Sequence, residues 1–182
     1  MSPSQHRRSV SPHPGKSLLD CFVPPTAAPT VSVRLREGCP VPAPLGRLAT
    51  DTAAKHAWLP DTPFVAAWAL LLHQWLGGER VAWMESMPSP IQLAADPGSS
   101  AAQWMRQVDS ARRSRSAPGQ ATDPDLASAE SAWLGLHGES ASAATGLDSI
   151  LALGLGGSGG QELFASYAAA RVEPEQIRAV LA

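Results

Sequence analysis

The stretch from Asp61 to Gly78 constrains the fold more than any other. Asp61 or Thr62 can cap a helix, and Pro63 suits the first helical position, where its missing N–H costs nothing. Phe64 to Leu76 then carries Val65, Trp68, Leu70, Leu71, Leu72 and Trp75 on all sides, and Gly77-Gly78 is a natural stop. A helix that is apolar all round must be packed against a sheet or other helices. Leu70 is therefore expected to be buried on this helix, so that truncating it would be costly. Glu79 to Met87 follows as a strand, with Val81 and Trp83 on one face and Ala82 and Met84 on the other, closed by Pro88 and Pro90. Two apolar faces predict a central strand, and helix plus central strand predict an α/β (or α+β) fold.

The remaining elements are read from their periods. Thr30 to Glu37 alternates Val31, Val33 and Leu35 with Ser32, Arg34 and Arg36, a half-buried strand stopped by Gly38 and Pro40. A weak helix is expected over Leu45–His56. Ser99 or Ser100 caps an amphipathic helix bearing Met105, Val108 and Asp109 on one side. Its Arg112-Arg113-Ser114-Arg115 end reads as a solvated terminus, where cations suit the negative pole of the helix. Ile150–Leu155 and Glu162–Tyr167, joined by a glycine-rich turn, predict a hairpin. Glu173-Pro174-Glu175 opens a last helix with Ile177, Val180 and Leu181 on its apolar side. One mixed sheet is expected from 31–37, 80–87, 150–155 and 162–167. Residues 1–29, rich in proline and serine, read as a flexible arm whose Leu18, Leu19, Phe22 and Val23 could dock on the core. Residues 30–182 form the single domain, with 116–146 as a loose loop.

Composition enters as a set of exclusions. A net charge of −2 and a pI near 6.2 argue against an overall basic nucleic-acid surface. No apolar run reaches the ~18 residues of a membrane span. The N-terminal sequence has charge but no apolar stretch of the secretory kind, so a cytoplasmic protein is expected. Cys21 and Cys39 are expected as free thiols rather than as a framework. His6, His13, His56, His73 and His137 show no ligand spacing, so no metal is expected. His73 reads as a hydrogen-bonded core or groove residue rather than a base.

Three glycine-containing motifs compete for attention near the end of the chain. Gly154-Leu-Gly-Gly-Ser-Gly matches a dinucleotide-binding pattern, with Glu173 downstream, but too little chain remains for the rest of a nucleotide fold. Gly156-Gly-Ser-Gly-Gly matches a nucleophile elbow around Ser158, but a flexible hairpin turn accounts for both matches. Gly146-Leu-Asp-Ser-Ile-Leu resembles the Gly-x-Asp-Ser-Leu motif of acyl and peptidyl carrier proteins, which implies phosphopantetheine on Ser149 as an alternative reading. That alternative needs a helix continuing past Ser149, through glycines that cost ~1 kcal/mol each relative to alanine.

The order of elements, with Thr62-Pro-Phe-Val-Ala-Ala-Trp-Ala-Leu-Leu-Leu-His-Gln-Trp-Leu-Gly-Gly-Glu-Arg-Val-Ala-Trp and Glu162-Leu-Phe-Ala-Ser-Tyr-Ala-Ala-Ala-Arg-Val-Glu-Pro-Glu-Gln-Ile-Arg-Ala-Val-Leu, resembles the C-terminal half of condensation domains of nonribosomal peptide synthetases. These domains have the chloramphenicol-acetyltransferase-like fold. The resemblance implies an acyltransferase-like half-domain and a role in nonribosomal peptide, secondary-metabolite or antibiotic biosynthesis. The implied partners are a peptidyl or acyl carrier protein or a synthetase module. The family's His-His-x-x-x-Asp-Gly motif is absent, and His56 with Asp61 does not reproduce its spacing. No catalytic residue and no cofactor are therefore expected in the main reading. The expected protein is an accessory or remnant chain that is not catalytic alone. A split acyltransferase completed by a partner is the other alternative.

Overall fold

The computed structural model describes residue 22 and residues 34–77, 80–85, 90–96, 98–114, 131–136, 151–156 and 162–182. Strand β1 (Arg34–Pro40) is followed by helices α1 (Ala43–His56) and α2 (Thr62–Leu76), strands β2 (Arg80–Trp83) and β3 (Ile91–Ala94), and helix α3 (Ala101–Ser114). Strands β4 (Ser131–Leu136), β5 (Leu151–Gly156) and β6 (Glu162–Ala168) come next, and helix α4 (Pro174–Leu181) ends the chain.

Helix α2 forms where the Pro63 start and the glycine stop place it. Gly77 adopts φ 66°, and its N–H donates to the His73 carbonyl, satisfying one of the last orphan acceptors. Val65, Trp68, Ala69 and Leu72 are buried in the main core, and Trp75 packs edge-on against both Trp68 and Phe22. Phe22 thus docks on the core, as its apolar character suggested. Helix α3 begins with a reciprocal cap: Gln103 N–H donates to Ser100 Oγ, and Ser100 N–H donates to Gln103 Oε1. Helix α4 starts at Pro174 and buries Ile177 and Leu181.

The strands depart from the expected single sheet. Four of them form a mixed sheet in the order β1-β6-β5-β4, antiparallel except for the parallel β4–β5 pair. The hairpin is present, with Leu151 opposite Tyr167 and Gly156 opposite Glu162. Strand β2 is not a central strand of this sheet. It pairs antiparallel with β3 in a separate two-stranded sheet, and just past its end the Met84 carbonyl accepts from the Trp133 N–H of β4 at 2.7 Å. Its apolar faces reflect burial among helix and strand neighbours: Val81 and Trp83 both lie in the main core.

Two further corrections concern boundaries. Strand β1 runs through Gly38 to Pro40 instead of stopping there, because β6 pairs with it along its whole length. A Cβ at Gly38 would meet the Glu162 carboxylate, the far end of a part-exposed side chain that would have to turn aside. Proline is tolerated at the end of an edge strand. Within 116–146, residues 131–136 form β4 rather than loop, with Trp133 buried. The flanking Ala, Ser and Gly hide this strand from a periodicity reading, and parallel pairing to β5 supplies its hydrogen bonds.

The inner face of the large sheet carries Leu151, Leu153, Leu155, Ala165 and Tyr167 into the core beneath α4. On the other face, the Arg36 guanidinium lies 3.9 Å over the Phe164 ring, and Arg34 bonds both the hydroxyl and the carbonyl of Ser166. Cys39 is a free thiol whose S–H donates to the Leu181 carbonyl, while Cys21 lies outside the described residues. No described helix is long and apolar enough to cross a membrane.

Candidate functional site

Two polar or accessible features adjoin α2, one at its start and one along its side. The first is a buried charge junction. The Arg112 guanidinium forks onto Asp61, with Nη1 2.8 Å from Oδ1 and Nη2 3.0 Å from Oδ2, and its Nε donates to Glu85 at 2.8 Å. The Trp133 indole donates to the same Asp61 carboxylate at 2.8 Å, and the Trp83 indole donates to Glu85 at 3.1 Å. Side-chain exposure is only 7% for Arg112 and 6% for Asp61. Burial works against the Arg112 charge, but Asp61 and Glu85 outweigh it and push its pKa above the ordinary arginine value.

Beside this pair, Asp109 accepts from the Leu59 N–H at 2.7 Å, the Thr62 hydroxyl at 2.9 Å and the Arg113 Nε at 2.6 Å. Burial pushes this carboxyl up, and the bonds from Leu59, Arg113 and Thr62 more than reverse it, so the net shift is down. Arg113 also donates to the Ala57 carbonyl. The junction therefore ties the start of α2 to the end of α3, the end of β2 and strand β4.

Arg112 is accordingly not a solvated helix end. Trp104, Val108 and Arg112 follow one another at intervals of four, so Arg112 continues the buried stripe of α3. That spacing was the available signal. Asp61 does not cap α2 with its side chain, because Arg112 and Trp133 hold it. It is equally unavailable to His56, whose ring stacks on Trp58 at 4.4 Å.

The second feature is an apolar groove of about 430 Å³ between α2, the start of α3 and the segment after β3. Pro63, Ala67 and Leu70 line it from α2, and Trp104 and Met105 from α3. Leu70 is 44% exposed, which overturns its expected burial. Helix α2 is covered over most of its surface, but Ala67, Leu70 and Gln74 form a strip left exposed by the other described elements. His73 lines the groove, as the sequence suggested, but its Nδ1 is not hydrogen-bonded as expected: it is buried without a partner among the described residues. Asp96 and Ser99 complete the polar part of the lining. Trp104 turns its indole N–H away to the Ala66 carbonyl at 2.8 Å.

Ser149 and Ser158 lie outside the described residues. Residues 151–156 form a fully buried strand, where the carrier-type reading of Ser149 needs a helix. Gly154 and Gly156 belong to that strand. Among the described residues no cluster of histidine, cysteine, aspartate and glutamate could hold a metal ion.

No family model and no curated protein matches this sequence. Solved structures do match the fold. The condensation domain of the Monacolin K polyketide synthase MokA superposes with a TM-score of 0.64 at 13% identity, over 98% of this chain and 52% of that one. The first condensation domain of the CDA synthetase gives 0.56 at 14% identity, over 86% and 44%. The epimerization domain from the third module of tyrocidine synthetase B gives 0.55 at 12% identity, over 89% and 50%. The chain thus spans about half the length of these structures, and over that half it has their mixed α/β fold.

Proposed function

We propose that this chain is an accessory condensation-domain-like protein of nonribosomal peptide or related secondary metabolism, which binds a carrier protein or synthetase module and does not catalyse amide formation alone. The observation that carries the reading is the likeness of nearly the whole chain to about half of a condensation domain. The junction supports the non-catalytic part. Its carboxylates and guanidinium are bound to one another and to backbone or indole donors, which suits holding elements together rather than moving protons. No cofactor is required in this reading.

A split acyltransferase is the second reading, and the half-length match favours it. In that case another chain supplies the His-His-x-x-x-Asp-Gly motif. The phosphopantetheine reading of Ser149 finds less support, because β5 begins two residues beyond it.

The test combines binding, turnover and mass. Purified chain is titrated with holo carrier proteins and synthetase modules by calorimetry, then incubated with an acyl-loaded carrier and an amine acceptor. Saturable binding without amide product is the expected result. Product from the chain alone, or no binding to any module, overturns the proposal. Product only after adding a chain that carries the histidine motif establishes the split enzyme instead. Incubation with coenzyme A and a promiscuous phosphopantetheinyl transferase should leave the intact mass unchanged. An adduct lost in Ser149→Ala would establish the carrier.

A further inference from the structure

The groove beside α2 is built differently from the rest of the surface. Its volume of about 430 Å³ falls in the ~300–1,000 Å³ range of small-molecule sites. The space exists because small residues line its floor: Ala66 and Ala67 on α2, Ala95 after β3 and Ala101 at the start of α3. Leu70 and Met105 supply larger apolar walls, and the Trp104 indole is fixed by its bond to the Ala66 carbonyl. Such a cleft takes an unbranched apolar chain.

The polar lining then selects the head of that chain. Among the described lining residues Asp96 is the only charged side chain, and its charge is negative. Its oxygens already accept from the Gly98 N–H at 2.9 Å and the Ser99 hydroxyl at 3.2 Å, which fixes the carboxylate at the rim. A carboxylate offers only acceptors, so it calls for a donor. An anionic head would meet Asp96 with no cation among the described lining residues to offset it.

We infer that this groove is a binding site for an amphiphile with an unbranched apolar chain and a primary ammonium head, the chain lying along Ala67 and Leu70 and the head beside Asp96. The inference goes beyond the proposed accessory role and does not depend on it.

Calorimetric titration of the full chain with n-octylammonium, octanol and octanoate, each below its micellar concentration, tests it. The ammonium should bind about fivefold more tightly than the alcohol, the range expected for a part-exposed charge pair. The carboxylate should bind more weakly than either. Asp96→Asn keeps the acceptor for Gly98 and should bring the ammonium down to the level of the alcohol. Ala67→Trp should fill the groove and abolish binding of all three. Leu70→Glu, at another exposed lining position, should abolish binding of the alcohol, and it reads the same site if Ala67→Trp does not fold. Equal affinity for ammonium and carboxylate, or octanol binding that survives both groove substitutions, overturns the site. Failure here leaves the carrier titration unaffected, so the two proposals fall separately.

Discussion

The start of α2 and its outer strip solve opposite problems with the same helix. At its start, Asp61 and Thr62 meet Arg112, Asp109 and Trp133 in a junction where every named carboxylate is hydrogen-bonded. Along its outer strip, Ala67 and Leu70 are exposed, and the groove stays open among the described residues. The junction buries charge and is therefore intolerant of losing one member. The groove leaves apolar surface in water and is therefore tolerant of change but available to a ligand. Stability and recognition are separated along one element.

The sharpest way to break this comparison is at Arg112. Arg112→Met leaves Asp61 and Glu85 as buried carboxylates without their cation, and should cost about 3–5 kcal/mol. Urea denaturation is the measurement, and a loss below about 1 kcal/mol would show that the junction is wetter than its geometry implies. A smaller effect is expected from acid. The carboxyl of Asp109 is lower in the folded chain than its ordinary 3.8, so it stabilises the fold above that pH. This contribution should disappear as the pH falls through the still lower folded value. Asp109→Asn should be less stable than the parent near neutrality, and the gap should narrow below about pH 4, the ordinary aspartate range. A gap constant down to pH 2 would contradict the assignment. The smallest effect belongs to the groove. Leu70→Ala, at a position 44% exposed, should shift stability by no more than about 0.5 kcal/mol. A cost of 2 kcal/mol or more, the lower end for a core leucine, would mean that the groove is closed in solution.

The expected elements that appear in place share one property: their signals are local. The Pro63 start and Gly77 stop of α2, the Ser100–Gln103 cap of α3, the glycine-linked hairpin and the Glu173-Pro174 start of α4 each lie within a few residues. The groove was legible only through His73. Its room comes from alanines on two helices and in the segment after β3, none of which is informative alone.

What the chain by itself determined was therefore the type and position of most helices and of the final hairpin, because caps, periods and turns act over one or two turns of backbone. Tertiary structure decided the rest. It placed β2 beside β3 rather than inside the large sheet, drew a strand out of an alanine- and serine-rich stretch, buried Arg112 and exposed Leu70. The physical reason is separation: Arg112 meets Asp61 across 51 residues and Trp133 meets it across 72. Whether a charge is buried or a leucine exposed depends on which distant partner arrives, and no local pattern carries that information.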